Sequence, residues 1–228
     1  MSIEIIPAIL PRNFAEIIDK VSLVKGLVKT VQIDICDGNF VPNITWPFNT
    51  SSDGQDDKIF ERILKEEDGL PSWQEVNYEF DLMVNFKDAG EIEKWVQMGA
   101  SRIILHIESK GDMTAVIEKI SDEVEIGLAL NIGTPIDSIE PFKNKIQFVQ
   151  LMGINRVGFQ GQEFDHKVIG KIKGVRAEYL DLPISIDGGV SLQNAGLLID
   201  AGANRLVIGS AIFEAEDVEK MLEQFRKL

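Results

Sequence analysis

Short apolar runs alternate along the chain with longer stretches in which apolar residues recur every three or four positions. Eight of the short runs read as strands: Ile3–Ala8, Thr30–Ile35, Val76–Met83, Arg102–His106, Glu125–Leu130, Ile146–Met152, Pro183–Asp187 and Arg205–Gly209. Most are apolar throughout, as strands covered on both faces are. Helical spacing fills several of the gaps. Asn13–Leu27 opens on a capping asparagine with Glu16 three residues on, and Lys87–Met98 runs into Gly99. Ser191–Ala201 opens on a serine cap and stops at Gly202, and Glu214–Leu228 closes the chain. Eight strands separated by helices predict an α/β fold, a (β/α)₈ barrel. A doubly wound open sheet is the alternative, but it carries its glycine-rich turn after the first strand. Here the first strand runs into Ile9-Leu10-Pro11, and the glycine turns follow strands six, seven and eight. With no linker or low-complexity run, residues 1–228 are expected to form a single barrel domain. One connection is long. Residues 44–72, after strand two, hold Trp46-Pro47, a polar run from Ser51 to Asp57, and a short helical piece, Lys58–Glu67. Loops of this length are often functional.

The chemistry-bearing residues sit at strand ends. Ile33-Asp34-Ile35-Cys36-Asp37-Gly38 and Ile184-Ser185-Ile186-Asp187-Gly188-Gly189 each bring an aspartate to the end of a strand and follow it with a glycine turn. In barrels of this kind chemistry gathers at the C-terminal ends of the strands, and phosphate sites follow strands seven and eight. Gly188, Gly189, Gly209 and Ser210 therefore form a candidate anion cradle of backbone N–H groups, with Gly158 and Gly161 on a third side. Strands two and seven are not neighbours, so Asp34 and Asp187 would face each other across the mouth. A planar enediolate held between them could lose a proton to one face and regain one on the other. The competing reading is that both aspartates cap turns and the glycines are ordinary tight connections.

Several longer stretches carry a resemblance that runs nearly end to end. They are Pro7-Ala8-Ile9-Leu10, Ile33 through Asn43, Asp81-Leu82-Met83, Leu130 through Pro135, Gly158-Phe159-Gln160-Gly161-Gln162, Ile186 through Val190, and Gly209 through Phe213. In content and order they resemble the ribulose-phosphate 3-epimerase family. The resemblance implies a TIM barrel, a phosphorylated ketose substrate, a divalent metal and a homo-oligomer. It implies acid–base roles for Asp34 and Asp187 and phosphate contacts at Gly158, Gly189, Gly209 and Ser210. Met83 and Met152 stand where the family has methionines near the reacting carbon, and Cys36 replaces a third. The chain departs from the family at the metal. The family's two ligand histidines are Gln32 and Asp81 here. Ala8 replaces a serine, Gln160 replaces a small residue, and the strand-six loop is one residue longer near Arg156-Val157.

Gln32, Asp34, Asp81 and Asp187 would offer only oxygen ligands with the amide oxygen turned inward, a set suited to Mg²⁺ or Mn²⁺ rather than Zn²⁺. Without a metal, three carboxylates would crowd an anionic substrate, and one should keep its proton; a protonated Asp81 could then donate to the enediolate oxygen. Both states are open on the sequence. His106 reads as a ligand contact or a hydrogen-bonded core histidine, His166 as a surface residue, and Cys36 as an unreactive thiol.

Bulk properties narrow the partners. Net charge is −14, from 37 acidic and 23 basic residues, which argues against nucleic acid and anionic membranes. A phosphate must then be held by local donors rather than long-range attraction. The single cysteine excludes an intrachain disulfide. Neither a signal peptide nor a spanning helix is legible, so a cytoplasmic enzyme is expected. The leading expectation is 3-epimerisation of a ketose phosphate of the ribulose 5-phosphate/xylulose 5-phosphate type. The alternatives are a phosphate-binding barrel without activity, or a phosphosugar lyase or decarboxylase, which a lysine at a strand end would favour.

Overall fold

The computed structural model describes residues 3–49 and 55–228. Its strands are β1 (Glu4–Ile9), β2 (Thr30–Cys36), β3 (Asn77–Met83), β4 (Ala100–His106), β5 (Glu125–Leu130), β6 (Phe148–Met152), β7 (Ile184–Asp187) and β8 (Arg205–Ile208). Each pairs in parallel with the next, and β8 closes onto β1, which makes one (β/α)₈ TIM barrel. The helices are α1 (Phe14–Val24), α2 (Gln55–Leu64), α3 (Ala89–Gln97), α4 (Met113–Ile120), α5 (Lys167–Glu178), α6 (Leu192–Ala201), α7 (Ser210–Phe213) and α8 (Val218–Arg226). A 3₁₀ turn, Ile136–Phe142, stands between β5 and β6.

The helix caps explain several boundaries. The Asn13 side chain accepts from the Glu16 N–H, and the Ser191–Asn194 pair caps α6 reciprocally. Gly202 ends α6 at φ 118°, a left-handed position that glycine occupies without strain. The expected helix over 214–228 starts later, at Val218, where Asp217 caps it, and Glu214 instead ends the short α7. The long connection after β2 contains α2, which begins at Gln55 rather than Lys58. Ser51, Ser52, Asp53 and Gly54 of its polar run lie outside the described residues.

Strand alternation sorts the side chains into two populations. Val31, Ile33 and Ile35 of β2 face outward and pack with Phe14, Ile17 and Val21 of α1 in the large apolar layer between strands and helices. Gln32 and Asp34 face inward. The barrel interior is therefore where buried polar groups collect. Glu79 and Arg205 lie at its lower end, and Gln32, Asp81, His106 and Gln150 at its upper end. Register places Asp34 level with Asp81, and Asp187 level with Met152.

Candidate active site

The end of β2 is fixed by local bonds. The Thr45 hydroxyl accepts from the Cys36 N–H at 2.8 Å and donates to the Asp34 carbonyl at 3.0 Å. Asp37 is a turn organiser: its carboxylate accepts from the N–H groups of Asn39, Phe40 and Asn85. This orients the Phe40 ring 5.1 Å from the His106 ring. Across the mouth, Asn43 donates to the Gly158 carbonyl at 2.7 Å, which ties the strand-two connection to the strand-six loop.

The strand-seven turn needs glycine twice. Gly188 and Gly189 have φ of 98° and 69°. A Cβ on Gly189 would lie 2.9 Å from the Phe164 Cα, which is backbone and cannot swing aside. Together with Gly158, Gly161, Gly209 and Ser210 these glycines line one cleft, whose floor is Asp34, Asp187, Met83 and Met152. Helix α7 is only four residues long, so an anion there would rely on backbone N–H groups more than on a helix dipole. Gln160 reaches over this cradle. Its amide Nε2 donates to the Ala8 carbonyl at 3.2 Å and sits 2.7 Å from where a Cβ on Gly209 would be. Among the described residues, no lysine lines the cleft.

Asp34, Asp81 and Asp187 each present a carboxylate oxygen within 4.8 Å of the others, a spacing that could hold a divalent ion. Only Asp34 and Asp187 reach the cleft; Asp81 is fully buried beneath them. Of the groups that bond them, the buried His106 fits its reading as a hydrogen-bonded core histidine, whereas Gln150 was not anticipated. Gln32 Nε2 donates to Asp34 Oδ1 at 2.7 Å and to Asp187 Oδ2 at 3.0 Å. Gln150 Nε2 donates to Asp187 Oδ2 at 3.2 Å and to Asp81 Oδ2 at 3.1 Å. His106 Nε2 bonds Asp81 Oδ1 at 3.0 Å. The condition for Gln32 as an oxygen ligand, its amide oxygen turned inward, is not the arrangement seen here. Two acceptor carboxylates draw the donor end of an amide, and an oxygen at those distances would be repelled. Asp81, the possible donor to the enediolate oxygen in a metal-free site, does not line the cleft. The spacing of the three carboxylates could hold a divalent cation, and Gln32 as placed turns N–H groups rather than its oxygen toward them.

Burial sets the protonation of the cluster. It pushes Asp34 well above the usual carboxylate range, helped by the charges of Asp187 and Asp81 and opposed by Gln32 and His106. Asp187 is raised to about 7, by burial first and then by Asp81. Burial alone would lower His106, but Asp81 and Glu108 outweigh it and raise the imidazole to about 10. His106 is therefore a charged imidazolium at neutral pH. Glu108 stands 3.8 Å from His106 Nδ1, and its other oxygen accepts from the Asn131 N–H and the Thr134 hydroxyl. Burial and the surrounding carboxylates push the Cys36 thiol up, so it stays protonated and inert. His166 is exposed, at the start of α5.

Residues 4–213 match the model of the ribulose-phosphate 3 epimerase family. The chain belongs to the ribulose-phosphate 3-epimerase family. It is 34% identical over 232 residues to the ribulose-phosphate 3-epimerase of Bacillus subtilis, covering 98% of both chains. The Escherichia coli K12 protein of that name is 29% identical, covering 97% of this chain and 94% of the relative. Solved structures confirm the fold alone. The 3-keto-L-gulonate-6-phosphate decarboxylase of Vibrio cholerae superposes with TM-score 0.66 at 15% identity, covering 100% of this chain and 97% of that one. The 3-hexulose-6-phosphate synthase of Salmonella typhimurium gives 0.68 at 13%, covering 98% and 97%. This chain is an isomerase of that family.

Proposed function

We propose that the protein interconverts ribulose 5-phosphate and xylulose 5-phosphate, with Asp34 and Asp187 as the two acid–base groups. The observation that carries this is the pair of carboxylates at the cleft floor, bridged by one amide and adjoining the glycine cradle. The cradle would hold the phosphate. That would lay the reacting carbon between the aspartates, with Met83 and Met152 excluding water around it.

Two-base inversion requires that one carboxyl be ionised and the other protonated. In support, burial raises both carboxyls, Asp34 further through the charges of Asp187 and Asp81, and Asp187 to about 7 with help from Asp81. The ionised aspartate takes the C3 proton to give a planar enediolate, and the protonated one delivers a proton to the opposite face. Turnover leaves the proton on the other member, ready for the reverse reaction. A cation entering the three carboxylates would meet oxygen ligands, which favours Mg²⁺ or Mn²⁺ over Zn²⁺. A lyase or decarboxylase reading finds no support at the cleft, where no lysine stands among the described residues. The test is NMR of ribulose 5-phosphate in D₂O with the purified protein. Deuterium at C3 and accumulation of the 3-epimer are expected. A substrate that stays protonated at C3, with or without added Mn²⁺, would end the assignment.

A further inference from the structure

The Gln32 amide has two hydrogens and uses one on each acid–base aspartate. Gln150 repeats the arrangement one step deeper and links Asp187 to Asp81. His106 completes the chain on Asp81. Gln32, Asp81, His106 and Gln150 are all fully buried, so the links are made by the protein rather than by solvent. A divalent ion at the centre would require both amides to turn over. Their oxygens lack a partner now. Turning them would leave buried N–H groups unpartnered instead, so the exchange relieves nothing.

Resting on the epimerase reading, we propose that this chain transfers its protons without a divalent cation, the amides of Gln32 and Gln150 joining the carboxylates that a metal ion would otherwise join. Gln32 and Gln150 are positioning residues. They do not line the cleft, and they act by fixing where Asp34 and Asp187 point. Gln32 holds the two carboxylates to one nitrogen, so the distance across the substrate plane is set by a single planar group. Gln150 restrains Asp187 from below.

The test uses the full-length wild-type protein, dialysed against a chelator and checked by elemental analysis. Deuterium wash-in at C3 of ribulose 5-phosphate is then compared with the undialysed enzyme, and Mn²⁺ binding is followed by electron paramagnetic resonance. Wash-in at the untreated rate and no one-to-one Mn²⁺ site are expected. Loss of exchange that Mn²⁺ or Mg²⁺ restores would overturn the proposal and leave the epimerase reading standing. So would a one-to-one Mn²⁺ site that Asp81→Asn removes. If neither dialysed nor metal-supplemented enzyme exchanges, the epimerase reading falls and the proposal with it. Gln32→Leu should lower kcat about 10- to 100-fold, the usual cost of removing a group that orients a reacting one, with KM unchanged. Added Mn²⁺ should not recover it. Wild-type kcat in Gln32→Leu would overturn the positioning role. Gln150→Met gives the same readout should Gln32→Leu fail to fold, and the Mn²⁺ titration of the wild type decides independently of both.

Discussion

The barrel has a buried charge cluster at each end, and the two are built on opposite plans. At the lower end Glu4 and Glu79 meet Arg102 and Arg205. Arg102 bonds both glutamates at 3.2 Å, and Arg205 bonds Glu79 while lying over the Phe148 ring at 4.1 Å. Acids and bases balance. Burial raises Glu79 despite both arginines, whereas for Glu4 the arginines outweigh burial and hold the carboxyl below its usual range. At the upper end three carboxylates face one imidazolium and two neutral amides. Negative charge there is left in excess, so a proton is retained. A balanced cluster closes the barrel floor; an unbalanced one suits the proposed reaction, which needs a retained proton.

The sharpest way to break this contrast is to neutralise the upper end. Asp34→Asn and Asp187→Asn should each cut epimerisation by roughly 10²–10⁴-fold while the fold is retained. Either variant turning over at the wild-type rate would make the two clusters equivalent. At the lower end the loss should appear as stability. Arg205→Met leaves Glu79 buried without its closest partner and should cost about 3–5 kcal/mol in denaturant unfolding, with kcat unchanged for the folded fraction. A kcat loss without destabilisation would show the floor reaching the chemistry. Gly189→Ala isolates the cradle from the acids. The added Cβ meets the Phe164 backbone at 2.9 Å. Displacing the turn should forfeit about 1.5–3 kcal/mol of phosphate hydrogen bonding, seen as a raised KM with kcat nearly kept.

The smallest effects come from pH. For turnover the Asp34/Asp187 pair must supply an ionised base, so activity should rise through about pH 7 as Asp187 ionises. Both directions should share this rise, since both use the same pair. Glu108 is held down at about 2, against the opposing effect of burial, by the nearby His106 and by the hydrogen bonds it accepts from the Thr134 hydroxyl and the Asn131 N–H. A depressed carboxyl contributes stability above its unfolded pKa of 4.5 and loses it as pH falls toward 2. Melting temperature should therefore drop more steeply over that window in the wild type than in Glu108→Gln. Parallel curves would place Glu108 outside the stabilising network.

The barrel was legible because its strands are apolar runs that need no partner to be recognised. Helices α4 and α5 were not. The first follows the turn-like Ser109-Lys110-Gly111, and the second carries two glycines and a weak apolar face. Asp34, Asp81 and Asp187 could be placed near the mouth because each lies within two residues of the end of its strand. What the sequence does not carry is which inward side chains meet across the interior. Gln150 offers only one sign, a lone polar residue within Phe148-Val149-Gln150-Leu151-Met152, and nothing local says that it bonds residues on β3 and β7. The orientation of the Gln32 amide likewise follows from Asp187, which lies 155 positions away.

The pairing of β1 with β8 gives the cradle a place in the order of assembly. Glu4 meets Arg205 across that seam, a contact between residues roughly 200 positions apart, and pairings of such high contact order form late because the whole intervening chain must first be gathered. Gly209 continues β8 and Ala8 lies on β1, so the proposed phosphate end of the cleft straddles the joint expected to close last, with Gln160 reaching from one side to the other. A partly folded chain with β2 to β7 in place would bring Asp34 and Asp187 together but have no grip on a phosphate. An anion bound there acts as a clasp on the seam, worth about 2.7 kcal/mol at a hundred times its dissociation constant. Inorganic phosphate or substrate should therefore slow the opening of β1 from β8 more than it slows exchange of amides elsewhere in the barrel.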